Sequence, residues 1–277
     1  MLLALNVNNT NTLIAVYDTA ASPIALRANW RVSTQRTQTA DEYGILIANL
    51  LTGENLQMKN VDAVIIASVV PPLDSTLRQF CERYLHAKPM FIEPGVKTGM
   101  PILTDNPSEV GADRVANCIG AFEKFGGPCI VVDFGTATNF DVVSARGEFL
   151  GGAIAPGLNI SAEALFARAA RLPRVDIRKP AKVIGTNTVD NLQIGLFYGH
   201  IALVDGLLAR MVAELGAKTK CIGTGGLAHL LAVESKFITA VDDMLTLDGL
   251  RLVYERNCAR KPAAAGKPSA AGKPVNK

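Results

Sequence analysis

The chain has 277 residues, 49% of them apolar and 19% charged, enough to bury a sizeable core in one large or two modest domains and too apolar for wholesale disorder. The formal net charge of +3 is unevenly placed: six of the 28 Lys and Arg residues and none of the 25 Asp and Glu residues lie after Glu255, so the rest is net acidic and offers no basic face for nucleic acid. No apolar run reaches the roughly 18 residues that span a bilayer, and no basic segment precedes the first strand-like run, which points to a cytoplasmic protein with no membrane partner.

In chain order, the first pattern is Leu3-Ala4-Leu5-Asn6-Val7-Asn8-Asn9-Thr10-Asn11-Thr12-Leu13-Ile14-Ala15-Val16: a β-rich apolar run, a polar turn and a second apolar run. Ile24 to Val32 reads as a third strand. Thr39-Ala40-Asp41-Glu42 is a capping box, and Tyr43, Leu46, Ile47 and Leu50 continue it at helical spacing. Val61 to Ser68 is a nearly unbroken apolar run, as a central strand buried on both faces would be. Val69-Val70-Pro71-Pro72 ends it and a helix follows to about His86, then a short strand from Lys88 to Ile92. Glu93 to Ser108, rich in Pro, Gly and polar residues, reads as a loop across a cleft.

A helix from about Ala112 to Phe125 leads to the same strand–turn–strand pattern again, Ile130-Val131-Val132-Asp133-Phe134-Gly135-Thr136-Ala137-Thr138-Asn139-Phe140-Asp141-Val142-Val143. Gly147 to Ile154 supplies its third strand and Leu158 to Ala170 a helix. Pro173 to Gly185 is a loop, and Thr188 to Leu215 is a long helix broken near Gly195 or Gly199. Lys220 to Ile222, Leu227 to Val233, Phe237 to Val241 and Leu247 to Glu255 complete a second half. The duplication predicts an α/β protein of two ribonuclease-H-like (actin-like) domains, residues 1–120 and 121–257, around a nucleotide cleft. The tail at 258–277 repeats Ala, Gly, Lys and Pro and is expected to be disordered.

Two such turns facing each other would clamp a phosphate chain between backbone N–H groups and hydroxyls. A third turn, Gly223-Thr224-Gly225-Gly226, could take the other end of a nucleotide. Asp133 ends a doubly buried strand, where a carboxylate costs desolvation energy unless a cation or hydrogen bonds compensate it; it reads as a cation ligand or as a cap for the next turn. Gly111-Ala112-Asp113-Arg114 pairs an acid with a base at a helix start, which suits an anion site or an ordinary first turn equally well. Gly185-Thr186-Asn187-Thr188 is a turn and cap. Neither a G-x-x-x-x-G-K-[ST] loop nor a dinucleotide fingerprint occurs. Cys81, Cys118, Cys129, Cys221 and Cys258 form no C-x-x-C pair and have no His at ligand spacing, and His86, His200 and His229 stand apart from any nucleophile pattern.

In order and combination these motifs resemble the type III pantothenate kinases of the actin, sugar-kinase and acetate-kinase superfamily, over about Met1 to Asn257. The resemblance rests on the Asn-Thr-Asn turn, Thr39-Ala40-Asp41-Glu42-Tyr43, Ser68-Val69-Val70-Pro71-Pro72, Gly111-Ala112-Asp113-Arg114, Val132 to Thr138, Gly185 to Asp190 and Gly225-Gly226-Leu227. It implies ATP-dependent phosphorylation of pantothenate, the first step towards coenzyme A, by a homodimer with its active sites at the subunit interface. By the family pattern Asn6, Val7, Asn8, Asn9, Thr10, Asn11, Thr12, Leu13 and Thr136 hold ATP. Asp113 is the base, and Gly111, Ala112, Asp113, Arg114 and Thr188 surround pantothenate. Asp133 binds a monovalent cation, potassium or ammonium, while magnesium rides on ATP. The family's first turn usually reads Asp-x-Gly-Asn-Thr. Asn6 departs from it by losing the negative charge that would help hold magnesium or its waters, which implies weaker magnesium assistance and reduced turnover. Asn8 stands where a glycine is usual and tolerates a left-handed backbone if one is required, and Asn139 replaces a usual Thr. The competing readings are a catalytically weak regulatory protein of the same fold and a kinase for another small hydroxy acid or sugar.

Overall fold

The computed structural model describes residues 1–258 except Ala170 and Ala217, so the expectation for the tail lies, beyond Cys258, outside the described residues. β1 (Leu2–Val7), β2 (Asn11–Asp18) and β3 (Ala25–Ser33) form an antiparallel meander. β4 (Ala63–Ser68) joins β1 in parallel on its other side and β5 (Met90–Phe91) joins β4, giving the order β3-β2-β1-β4-β5. β6 (Cys129–Phe134), β7 (Ala137–Val143), β8 (Phe149–Pro156), β9 (Lys220–Thr224) and β10 (Ile238–Val241) repeat this plan as β8-β7-β6-β9-β10, with the same parallel and antiparallel pairings. The duplicated actin-like α/β architecture expected from the repeated hairpins is the one the chain adopts.

Parallel neighbours need a crossover, and helices supply it. α1 (Ala40–Gly53) starts at the expected box: Thr39 Oγ1 accepts from the Glu42 N–H while the Thr39 N–H donates to Glu42 Oε2 at 2.7 Å. With α2 (Pro71–Phe80) it covers one face of the first sheet, where Tyr43, Ile47, Leu73 and Leu77 meet Leu3, Leu5 and Ile14. α4 (Leu158–Arg168), α5 (Thr188–Leu215) and α6 (Ala228–Leu231) cover the corresponding face of the second sheet through Leu158, Phe197, Val204 and Leu231. The break expected near Gly195 or Gly199 does not occur. A glycine costs a helix interior only about 1 kcal/mol, less than the burial of Phe197, Ile201, Val204 and Leu208 along one unbroken face returns. By length and composition α5 could cross a membrane, but this buried face makes it a core helix.

The remaining pair, α3 (Ala112–Phe125) and α7 (Leu245–Cys258), lies between the two sheets and serves both. Leu2, Ala4, Ala15 and Ile65 from one sheet and Cys129, Val131, Val143 and Ile222 from the other pack on this pair. The two helices touch backbone to backbone. A Cβ on Gly120 would stand 2.3 Å from the Leu245 carbonyl oxygen, and one on Gly249 would stand 1.9 Å from that of Ala116. Lys124 on α3 bridges Asp242 and Asp248 at 2.7 and 2.6 Å, and Tyr17 on β2 donates to Asp248 at 3.0 Å, tying the first sheet to the same seam.

Overpacking a tight core costs about 1–3 kcal/mol. Gly249→Ala is therefore expected to lower the melting temperature by several degrees, because it spreads the layer between the two sheets. A Gly249→Ala protein with parental melting temperature would show that the helices do not need this contact.

Candidate active site

Strand alternation decides which residues reach the central layer. On β1, Leu2 and Ala4 face α3 and α7, so Asn6 does too; on β6, Cys129 and Val131 face them, so Asp133 does too. Each strand thus runs apolar until its carboxyl end and then delivers one polar side chain to the same layer. Asn6 is 2% exposed and its Oδ1 accepts no hydrogen bond, and Asn8 Oδ1 is likewise buried without a partner. Asn8 closes the first turn through its N–H to the Asn11 carbonyl at 3.1 Å, and its φ is not positive, so the turn does not require a glycine there.

The two hairpin turns meet. Thr10 Oγ1 of the first lies 3.0 Å from Thr136 Oγ1 of the second. Asn9 accepts from Arg36 at 2.8 Å, and Thr12, itself buried, shares a hydrogen bond with Thr34 at 2.9 Å, so the first turn is braced from the residues after β3. Behind the second turn, Thr138 points to the outer face and meets buried His200 of α5 at 3.1 Å; burial lowers the His200 pKa, which keeps the ring neutral.

α3 brings the next group. Gly111 caps it with no side chain, Asp113 lies in its first turn, and the Arg114 N–H donates to Asp113 Oδ1 at 2.8 Å. Arg114 turns its guanidinium to Asp141 on β7: Nε donates to Oδ1 at 2.8 Å and Nη2 approaches the same oxygen at 2.5 Å, over the Phe149 ring. Asn117, one turn on from Asp113, donates to Asp133 Oδ2 at 3.0 Å and accepts from Thr246 of α7 at 2.5 Å, which fixes its amide orientation. Asp133 Oδ1 faces the third turn. A Cβ on Gly225 would stand 2.4 Å from that oxygen, and φ of 93° there suits glycine alone.

Three carboxylates therefore share one poorly solvated layer. Burial pushes Asp133 up to about 7, reinforced by Asp113 and Asp141 and opposed by the Asn117 hydrogen bond and by Arg31. Burial raises Asp141 to about 6 in spite of Arg114, and it raises Asp113 as well. Beside Gly111 and Ala112 a cavity of about 480 Å³ opens between the ends of β4 and β5 and α3, lined among others by Ser68, Phe91, Thr98 and Val115. Its size suits one small organic ligand.

The geometry thus gathers Asn6 to Leu13, Thr136, Asp133 and Gly111 to Arg114. Thr188 stands apart, exposed at the start of α5 behind its cap Asn187. Asn117, Asp141, Thr246, His200 and Arg31 were not singled out by sequence. Asn117 could have been found, because it sits four residues after Asp113 on one helix face. Asp141 shows only as an acid in an apolar strand.

Two α/β units of this topology, with facing turns between them, make up the actin-like fold. Solved structures agree on the fold. The chain is similar to a putative 2-dehydro-3-deoxygalactonokinase from Sinorhizobium meliloti (TM-score 0.55, 14% identity, 92% of this chain and 99% of that one). It is similar also to the activator of 2-hydroxyisocaproyl-CoA dehydratase from Clostridium difficile with bound ADPNP (0.52, 13%, 95% and 99%). A third likeness is to a putative Baf family transcriptional activator from Campylobacter jejuni (0.57, 18%, 92% and 98%). The family model for type III pantothenate kinase matches residues 2–210. Curated type III pantothenate kinases match nearly end to end: that of Acidobacterium capsulatum at 72% identity over 96% of this chain and 98% of the relative, and that of Koribacter versatilis at 59% over 93% and 96%. The chain belongs to the type III pantothenate kinases, enzymes that phosphorylate pantothenate in the first step of coenzyme A synthesis. The regulatory reading is not favoured.

A raised carboxyl pKa means that the folded state holds its proton where the unfolded chain has lost it, so this contribution to stability is lost as pH rises through the folded value. For Asp133 that window runs from about 4 to about 7. Without monovalent cation, Asp133→Asn should therefore gain melting temperature over the parent as pH rises from 5 to 8. A difference constant with pH would refute the burial of this charge.

Proposed function

We propose that the facing turns, Asn6 to Leu13 and Thr136, hold the phosphate chain of ATP, and that the cavity beside Gly111 and Ala112 receives pantothenate, with Asp113 between the two. The Thr10–Thr136 contact supports this reading: the two hairpin turns, from separate sheets, meet at one point over the layer that holds Asp113 and Asp133. The pantothenate hydroxyl oxygen bonds to the γ-phosphorus as the bond to the ADP oxygen breaks, and the hydroxyl proton passes to Asp113. The transition state is loose, so placing the two oxygens in line matters more than strong deprotonation. Burial that raises the Asp113 pKa makes it a better acceptor for that proton.

Asp133 fits a monovalent cation, potassium or ammonium: it is a hard oxygen donor with one oxygen bonded to Asn117 and the other turned to a glycine cradle. Bound there, the cation would neutralise the acidic layer. Asn6 and Asn8 offer neutral amide oxygens without hydrogen-bond partners to the waters of magnesium on ATP. Magnesium would supply charge neutralisation at the phosphates. The buried cysteines, with thiol pKa values pushed up by burial, suit a reducing cytoplasm.

The protein acts as a homodimer in this reading. Thr188 is exposed and remote from the other substrate residues, and the apolar side chains around it, Val183, Ile184 and Val189, are exposed too, Ile184 to 84%. A second subunit would cover them and place Thr188 of the partner subunit at the cavity.

Pantothenate-dependent ADP release in magnesium and potassium is expected for the native chain. Asp113→Asn should lower kcat on the order of 10²–10⁴-fold with the KM for ATP little changed; a variant that keeps its turnover removes Asp113 as base. In the same assay Asn6→Asp should lower the magnesium concentration needed for half-maximal rate, and an unchanged requirement would refute a role for position 6 in metal assistance. Sedimentation velocity should give a dimer for the native chain and a monomer with raised pantothenate KM for Ile184→Asp. A native monomer with full activity would end the interface proposal.

A further inference from the structure

Arg31 belongs to none of the motifs above. It lies on β3 opposite Leu13, and Leu13 lies opposite Asn6, so the three residues form one row across the sheet near its turn end. Trp30 and Val32 on either side pack into the core beneath α1 and α2, so Arg31 projects from the other face, toward the second half of the molecule. Its guanidinium crosses to the turn after β9, where Nη1 lies 3.1 Å from the place a Cβ on Gly226 would take. Gly226 is not in the left-handed region, so its lack of a side chain matters for space: it leaves room for Arg31.

The charges nearby make this position costly to leave unanswered. Asp113, Asp133 and Asp141 load the central layer with acid, and Arg31 opposes the upward push on Asp133. The other cations at hand are committed: Arg114 to Asp141, Lys124 to Asp242 and Asp248, and Arg36 to Asn9. Among the described residues the Arg31 side chain forms no ion pair and no hydrogen bond, and the residue is exposed. A planar guanidinium with all its donors uncommitted, spanning from the first sheet to a glycine turn of the second, is shaped for phosphate oxygens.

We propose that Arg31 is a ligand of the nucleotide's phosphate chain, donating from its guanidinium to non-bridging phosphate oxygens and thereby joining β3 to the Gly223–Gly226 turn across the cleft. The proposal rests on the kinase reading above. It gives the chain a cation for the phosphates at the end of the site where the first turn carries the neutral Asn6. No hydrogen bond within the protein has to be broken for Arg31 to take this role. Lysine would keep the charge but lose the forked geometry.

Calorimetric titration of the full-length chain with magnesium-ATP tests it, comparing the parent, Arg31→Gln, Arg31→Lys and, as a control on the same strand, Arg27→Gln. Loss of a charged hydrogen bond to phosphate corresponds to about a tenfold loss of affinity. That loss is expected for Arg31→Gln, a smaller one for Arg31→Lys and none for Arg27→Gln, with melting temperature and pantothenate KM unchanged. Parental ATP affinity in Arg31→Gln overturns the proposal. So does a variant whose only defect is an altered potassium requirement, since Arg31 would then be a counter-ion of Asp133. A parent chain that binds magnesium-ATP but releases no ADP with pantothenate would fail the kinase reading, and the Arg31 comparison would still decide the phosphate contact.

Discussion

The backbone contact between α3 and α7 sets the thickness of the layer on which everything else depends. Both sheets lay their inner faces on this helix pair, and at Gly120 and Gly249 no room is left for even a methyl group. The same two helices carry site residues: α3 brings Asp113, Arg114 and Asn117, and α7 brings Thr246. Because Asn117 touches Asp133 of the second sheet and Thr246 of α7 together, the helix spacing is also the spacing of the acids. A well-packed interior transmits such displacements, so a change at the seam is felt at the ends of the strands.

Along each central strand the inward positions change from apolar to polar at the carboxyl end, Leu2 and Ala4 giving way to Asn6, Cys129 and Val131 to Asp133. The apolar positions stabilise the seam, and the polar ones open it toward ligands where strands of an α/β sheet end. Arg114 answers Asp141 with its guanidinium, but Asp113 and Asp133 have no lysine or arginine side chain at hydrogen-bond distance among the described residues. The site is therefore short of positive charge before any ligand arrives. That deficit favours a bound cation and a proton acceptor at the same place, which is what transfer of a phosphoryl group to a hydroxyl requires.

The hairpins, the capping box at Thr39 and the extent of α3 were legible because they follow from local periodicity and local hydrogen bonds. The two strand orders followed from one pattern occurring twice. What remained hidden is tertiary. Nothing in the stretch 245–258 says that it returns to lie between two sheets, and nothing at Arg31 says that it faces a turn almost two hundred residues away. The unbroken α5 is a different lesson: local propensity at Gly195 and Gly199 argued for a kink, and burial of the Phe197 to Leu208 face outweighed it. Thr188 was legible as a motif, and in the structure it is exposed at the start of α5, apart from the other residues expected around the substrate.

The neutral first turn makes sense in the same electrostatic terms. An aspartate at position 6 would face the layer that already holds three acids, and each added buried charge raises the cost of ionising the others. Asn6 keeps an oxygen at the same point and removes that charge, at the expense of attraction for a nucleotide-borne metal. Asn8 needs no left-handed backbone, so the turn keeps its form, and its hydroxyl contact to Thr136 is untouched. In the proposed reading, the departure from the family pattern falls on the electrostatics of metal assistance and not on the architecture of the cleft, and the arginine two strands away, proposed as a phosphate ligand, is the feature best placed to compensate it.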